Sequence, residues 1–317
     1  MNNPVLSSLL PVVLLVAIGF IAGRAGWIRA EATKDLANVV FMVLTPALLF
    51  RTMSTVHVEQ LNFKPVAMYF VAALLLYALL FVWQKRSRRA AVLALAATFG
   101  NTLTIGTPLI GLAYGQAGLV TLFTLISLHA LILLTLATVV LELTVAHEQA
   151  AAGALSLRRM RNTVLTAARN GIIHPVPLPI IAGLLFAQTG LVMPDVLDRP
   201  LQLLGNAFGP LALVLVGATL TQVKVGEQIR GALGLTLFKN LVFPALVAFF
   251  CVLFGLTGST LAVMIIAAAL PMGSNVFMFS QKYEVAEELV TASMAVSTGL
   301  AIITISLVMA LVTRWVT

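Results

Sequence analysis

The feature that most constrains the fold is a succession of apolar runs, each about twenty residues long and separated from the next by short polar segments. A helix of about twenty residues spans the hydrocarbon core of a bilayer, and the runs are continuous rather than alternating as in a β-barrel. Only 9% of the residues are charged, against about 25% in a soluble domain. We therefore predict an all-α polytopic membrane protein.

The apolar runs predict ten transmembrane helices and a division of the chain into halves. The predicted spans are 4–23, 36–55, 63–83, 90–115, 118–142, 175–193, 200–222, 231–254, 259–281 and 287–313. One long polar segment, 146–172, separates five spans from five. This predicts a first five-helix repeat over 1–145, a basic cytoplasmic linker over 146–172 and a second repeat over 173–317.

The basic residues indicate an orientation. Most of the 19 Lys and Arg residues fall in alternate loops, on one side of the predicted membrane. The positive-inside rule assigns that side to the cytoplasm, so both termini are expected outside the cytoplasm, in a multi-pass protein of the cell (inner) membrane. The formal net charge of +8 is thereby explained by topology rather than by nucleic-acid binding. The N-terminal MNNPVLSS lacks the basic start of a signal peptide, so the first apolar run is expected to remain as a helix.

Five spans is an odd number, so a repeated second half would enter the membrane inverted. The fourth span contains AATFGNTLTIGTP, and the ninth contains AAALPMGSNVFMFS. Both carry Gly, Pro and Asn within an apolar run, and other segments match weakly in the same order. Inverted repeats with interrupted helices at corresponding positions are typical of secondary transporters.

The two interruptions predict crossed, discontinuous helices. Gly106 and Pro108 are expected to break the fourth span, and Pro271 and Gly273 the ninth. Breaks that cross at mid-depth would expose helix N-termini, whose partial positive charge attracts anions. Simple kinking or close helix packing is the alternative interpretation.

Polar residues near these breaks are candidate ligands of a substrate. Asn101 and Asn275 can each donate and accept hydrogen bonds, so they could bind a carboxylate or satisfy exposed backbone. Ordinary interhelical hydrogen bonding is the alternative. Thr102, Gly273 and Ser274 belong to the same predicted substrate-binding set, and Lys239 is its sixth member.

Two ionisable residues lie deep in predicted spans. Lys239, in span eight, could contact an anionic substrate, tether backbone carbonyls at a helix break, or snorkel to the cytoplasmic interface. His129, in span five, could couple transport to protons, although a neutral histidine bonded to a neighbouring helix is equally compatible with the sequence.

Several chemistries find little support in the sequence. The one cysteine, Cys251, cannot form an internal disulfide, and no Cys/His cluster predicts a metal or cofactor. The predicted spans contain no nucleophile–base pair of the kind that an enzyme would need. They also contain no Asp or Glu at mid-membrane depth, so carboxylate-based sodium or proton coupling has little support. Coupling through backbone carbonyls stays open.

Small-residue pairs give a hint of a homodimer. Gly19 and Gly23, and likewise Gly205 and Gly209, have the spacing that allows close helix packing.

The two interrupted segments carry a family resemblance. GNTLTIGTPLIGLAYG resembles the fourth-helix motif of the auxin efflux carrier family, which includes plant PIN carriers and bacterial organic-acid permeases, and LPMGSNVFMFSQKYEV resembles its ninth-helix motif. The resemblance covers nearly the whole chain, and the short central loop is that of a bacterial member. It implies a fold shared with bile acid/sodium symporters, a crossover of helices four and nine, a scaffold that often dimerises, and an elevator-like mechanism.

The resemblance also places residues. Asn101, Gly106 and Pro108 match the first crossover, and the second contains Pro271, Gly273, Asn275 and Tyr283. PIN carriers have a proline after the glycine of the second motif, where this sequence has Val276.

The expected function is secondary transport of small organic anions, such as malate-like, malonate-like or auxin-like acids. The expected partners are that anion, membrane lipids and a second copy of the chain. A sodium-coupled carrier like the bile acid symporters, and an anion receptor or channel that does not transport by alternating access, are the alternatives.

Overall fold

The computed structural model describes residues 4–151, 176–222 and 226–316, and within these ranges the chain is helical without a β-strand. Seven helices there are long and apolar enough to cross a membrane, and two shorter apolar helices accompany them. The α-helices are α1 Pro4–Arg24, α2 Ala30–Val39, α3 Thr45–Met53, α4 Phe63–Trp83, α5 Arg88–Thr98, α6 Thr107–Ala151, α7 Pro177–Gln188, α8 Asp195–Leu220, α9 Ile229–Leu237, α10 Phe243–Leu253, α11 Gly258–Ala269, α12 Asn275–Lys282 and α13 Glu287–Val316. The prediction of an all-helical polytopic membrane protein is confirmed.

The predicted linker is only partly within the described ranges. Helix α6 continues to Ala151, six residues into the segment 146–172, and positions 152–172 lie outside the described residues. The division into two five-helix repeats stays a prediction.

Three π-helical turns lead directly into an α-helix. Val40–Leu44 joins α2 to α3, Phe238–Val242 joins α9 to α10, and Thr102–Gly106 begins the helical segment that continues as α6. Each is followed, two residues later, by a proline, namely Pro46, Pro108 and Pro244. Proline has no N–H for the usual bond to the carbonyl four residues back, so the preceding turn widens to accommodate the ring. The helical break of the fourth span therefore lies before Gly106 and Pro108, and Pro108 sits in the first turn of α6, where proline is tolerated.

Helix α6 folds back on itself at Gly115. This glycine has φ 60° and ψ −150°, a left-handed conformation that residues with a side chain rarely adopt. A Cβ built on Gly118 would lie 3.0 Å from the Ile110 side chain, whereas eight residues of straight helix would separate the two by about 12 Å. Residues 107–114 and 116–151 thus run as a hairpin, close to the boundary predicted between spans four and five.

Helices α1, α3, α7 and α8 pack together as one group, which we name the first bundle. Gly19 of α1 packs against the Val214 carbonyl of α8, and Gly217 of α8 against the Val16 carbonyl, so a side chain at either glycine has no room. Gly23 likewise faces α8, and Gly205 and Gly209 face Leu48 and Pro108. These glycines pack against other helices of the same chain, so their spacing is no evidence for a dimer. The homodimer stays a prediction.

Helices α4, α5, α6 and α9–α13 form the second bundle around the main hydrophobic core. Every residue of α5 from Ala90 to Thr98 is buried, as is every residue of α11 from Leu261 to Ala269. These two helices are apolar on all sides because neighbouring helices cover them completely. Their C-terminal ends position the candidate site.

Candidate functional site

Two non-helical segments meet inside the second bundle: residues 99–101, after α5, and residues 270–274, between α11 and α12. The Asn101 N–H donates to the Pro271 carbonyl at 2.8 Å, and the Gly273 N–H donates to the Phe99 carbonyl at 3.0 Å. The two breaks thus pair antiparallel, as a short bridge between Gly100 and Met272. The pairing satisfies backbone groups that would be costly to leave unpaired in an apolar interior.

The first break is capped by its own side chain. Asn101 Oδ1 accepts the Thr104 N–H at 3.3 Å, and the Asn101 carbonyl accepts the Gly106 N–H at 3.3 Å. The N–H groups of Thr102 and Leu103 have no acceptor among the described residues. A helix N-terminus with two free donors therefore begins at this break.

The second break lacks such a cap. Helix α12 starts at Asn275 without a side-chain cap, and the N–H groups of Ser274 and Asn275 find no acceptor within the described chain. The break is supported from another helix, since the Ser297 hydroxyl of α13 accepts the Met272 N–H at 3.2 Å. A second helix N-terminus with free donors begins here.

Both N-termini open into one cavity of about 80 Å³. Its walls are Phe41, Phe99, Gly100, Asn101, Thr102, Leu103, Thr104, Ile126, His129, Ala130, Val176, Gly273, Ser274 and Asn275. The structure therefore brings together five of the six residues predicted to bind substrate, and His129 with them. None of these lining residues is acidic, so the polar groups at the cavity are amides, hydroxyls, backbone donors and one imidazole. This donor set suits an anion.

Lys239, the sixth predicted residue, lies outside the cavity walls. It is fully buried, and its Nζ donates to the carbonyls of Ala268 at 2.7 Å and Leu270 at 2.6 Å, with the ring of Phe243 at 5.2 Å. Of the three roles that the sequence allows for Lys239, these contacts match the tethering of backbone carbonyls at a helix break. A cation there also faces the negative end of the α11 dipole.

His129 is buried in the cavity wall and held by two aromatic residues. The Tyr69 hydroxyl lies 3.2 Å from His129 Nε2, and the ring of Phe99 lies 4.6 Å from the imidazole. Sequence reasoning missed Tyr69 and Phe99, because both lie in apolar runs where an aromatic residue carries no polar signal. The phenol engages Nε2 and thereby restrains the orientation of the imidazole.

Two comparisons with known proteins identify the family of the chain. A family model described as "Membrane transport protein" matches residues 4–309. A protein of Rhizobium meliloti (strain 1021), described as "Putative malonate transporter", is 26% identical over 305 residues, which cover 94% of this chain and 92% of the relative. Both descriptions are of transporters rather than enzymes, as the sequence predicted. The chain belongs to this membrane transport protein family, the auxin efflux carrier family that its two interrupted segments resemble.

Proposed function

We propose that the protein is a secondary transporter of small organic anions and binds a carboxylate in the cavity between the two breaks. The observation that carries the proposal is the convergence of two helix N-termini, with four free N–H donors, on one cavity without an acidic wall residue. Helix N-termini bind anions through aimed N–H groups and the helix dipole. The amide groups of Asn101 and Asn275 add donors beside them.

The size of the cavity favours a short carboxylate. About 80 Å³ holds several water molecules, whereas sites for drug-sized ligands measure about 300–1,000 Å³. A steroid-sized bile acid does not fit this space. The name of the Rhizobium meliloti relative refers to malonate, a three-carbon dicarboxylate, and we propose a dicarboxylate of that size as the substrate.

The movement we propose is an elevator-type displacement of the second bundle against the first. The cavity has walls from both: Phe41 and Val176 lie on the side of the first bundle, and the paired breaks belong to the second. Sliding one wall past the other would carry the anion between the two membrane faces. In this proposal the chain has ten spans in two inverted repeats, the breaks are the crossover of spans four and nine, and the first bundle forms a homodimer in the inner membrane, with both termini outside the cytoplasm.

Lys239 and His129 receive different proposed roles. Lys239 holds the carbonyls that end α11 and acts on substrate only through the position of the second break. His129 faces the cavity and can donate to a carboxylate oxygen or exchange a proton as the anion moves.

Counterflow in proteoliposomes tests the transport proposal. Vesicles loaded with unlabelled malonate are expected to accumulate external radiolabelled malonate, and Asn275→Ala protein should lose most of that uptake. Gln281→Ala, an exposed change on the same helix α12, is the matched control and should leave uptake unchanged. Binding of malonate without accumulation would contradict the carrier and favour a receptor. Uptake that follows the electrical gradient but shows no counterflow would indicate a channel.

A further inference from the structure

A second cavity lies at the end of the second bundle that the charge distribution assigns to the cytoplasm. It measures about 530 Å³ and is lined by Phe81, Lys85, Arg86, Val140, Leu143, Thr144 and His147, which we name the basic groove. It lies between the C-terminal ends of α4 and α6, and it shares no lining residue with the cavity at the breaks.

The basic groove has charge without a counter-charge. No ion pair of Lys85 or Arg86 occurs in the described ranges, and the acidic residue nearest in sequence to His147, Glu148, is paired with Arg88 at 2.9 Å. The segment 152–175 contains no Asp or Glu, so it has no carboxylate to offer either. The two exposed cations are therefore available to an anion from outside the chain.

The positions of the two cations are fixed by an unusual backbone. Lys85 and Arg86 have φ 64° and 52°, so two successive residues with side chains adopt the left-handed conformation. The turn they form closes α4, since the Arg86 N–H donates to the Phe81 carbonyl at 3.0 Å. Both cations are thereby held just beyond the helix end, rather than spread along it.

The groove is polar at one end and apolar along its length. Val140, Leu143, Thr144 and His147 follow the helical spacing of a single face of α6, so apolar residues lie one to two turns deeper than the imidazole. Phe81, in the last turn of α4, lies four residues before Lys85, which follows the helix. From Val140 to His147 the groove extends about 10 Å along the helix. This layout matches a phosphate headgroup at the surface with an acyl chain running inward beside Leu143.

We infer that the basic groove binds an anionic phospholipid, with its phosphate between Lys85, Arg86 and His147 and an acyl chain along Phe81, Val140 and Leu143. Basic pockets between membrane helices on the cytoplasmic side suit such headgroups, and the cytoplasmic leaflet is rich in anionic lipid. Trp83, the exposed last residue of α4, is the residue type that marks the headgroup level, so this end of the helix lies where a lipid phosphate would. The bound lipid would anchor the second bundle, whatever solute the protein carries.

Native mass spectrometry of the purified full-length protein tests this inference. Phosphatidylglycerol should be retained at least tenfold more tightly than phosphatidylcholine. Each juxtamembrane cation contributes about 1 kcal/mol, so Lys85→Gln/Arg86→Gln should weaken phosphatidylglycerol binding about thirtyfold. The matched control is Arg29→Gln/Lys34→Gln, two exposed cations on the same predicted side and away from the groove, and it should bind as the wild type does.

A third variant separates a lipid from a free phosphate. Leu143 is half exposed, so Leu143→Gln leaves the core intact and should weaken phosphatidylglycerol binding severalfold without changing the cations. Competition by millimolar inorganic phosphate, with no effect of Leu143→Gln, would show that the site takes free phosphate and would overturn the inference. Equal retention of the two lipids, or equal losses in the groove variant and its control, would overturn it as well. Malonate uptake is not the readout, so failure here is distinct from failure of the transport proposal.

Discussion

The two broken segments line the same cavity but satisfy their backbone in different ways. The first is held by a residue of its own, because Asn101 caps the turn that follows it. The second is held from outside, by Lys239 on the carbonyls at the end of α11 and by Ser297 on the Met272 N–H. Apart from the two backbone hydrogen bonds that the breaks share, the first is therefore held locally, and the second depends on how three helices pack. Substitutions should reveal that difference in stability, while both breaks contribute to anion binding.

Lys239→Met should have the largest effect. It leaves the buried carbonyls of Ala268 and Leu270 without a donor, and hydrogen bonds to a charged group contribute about 1.5–3 kcal/mol each, so we expect a loss of about 3 kcal/mol or more in the free energy of unfolding. Unfolding in mixed micelles with increasing SDS measures it. Lys64→Met, at an exposed lysine, is the control and should change little. Equal stability of the two variants would show that Lys239 does not stabilise the end of α11.

Ser297→Ala should have the next largest effect. The substitution removes the acceptor of the buried Met272 N–H, and an unsatisfied buried donor costs about 1–3 kcal/mol. Thermal unfolding in detergent is the measurement, with Ser306→Ala on the same helix as the control, since its hydroxyl bonds only to its own helix at Ile302. A loss in the control as large as in Ser297→Ala would mean that the hydroxyl does not support the second break.

Asn101 allows capping and binding to be separated. Asn101→Ala should lose about 1 kcal/mol of stability through the lost cap and should also bind the dicarboxylate more weakly. Asn101→Asp retains an acceptor for the Thr104 N–H but places a negative charge at the cavity, so its stability should stay near that of the wild type while anion affinity falls at least tenfold. Isothermal titration and thermal unfolding of the same samples give both quantities. Retained affinity in Asn101→Asp would exclude an anion at this cavity.

Asn275→Ala should have the smallest effect on stability, below about 0.5 kcal/mol, because its side chain caps nothing and makes no hydrogen bond within the described chain. Its effect on dicarboxylate affinity should nevertheless be about tenfold or more, the value of a hydrogen bond to a charged group. A variant that loses stability but keeps its affinity would reverse the roles that we assign to the two asparagines.

The sequence was sufficient to locate the breaks because their signal is chemical. Asn, Gly and Pro are costly in a helix that only spans a membrane, and they led to five residues that the structure places around one cavity. Lys239 was recognised for the same reason. Its partners could not be predicted, because they are backbone carbonyls about thirty residues away. Every residue has such a carbonyl, so the sequence carries no sign of which one is bound.

Other features have weak or hidden signals. Ser297 supports the second break, but serine is common in membrane helices and usually bonds its own backbone. The π-helical turns precede Pro46, Pro108 and Pro244, a regularity that appears only once the backbone is seen, because proline alone predicts a kink without its geometry. The close packing of Gly19 and Gly217 shows that small-residue spacing does not tell an internal interface from a dimer.

Whether the two helix N-termini bind one anion between them can be seen in an experimental structure of the protein in lipid nanodiscs with a saturating short dicarboxylate. We expect density for the anion within hydrogen-bond distance of the N–H groups of Thr102 and Leu103 on one side and of Ser274 and Asn275 on the other, with Lys239 still on its two carbonyls. An anion bound elsewhere, or one coordinated directly by the Lys239 ammonium, would show that the paired breaks do not form the binding site.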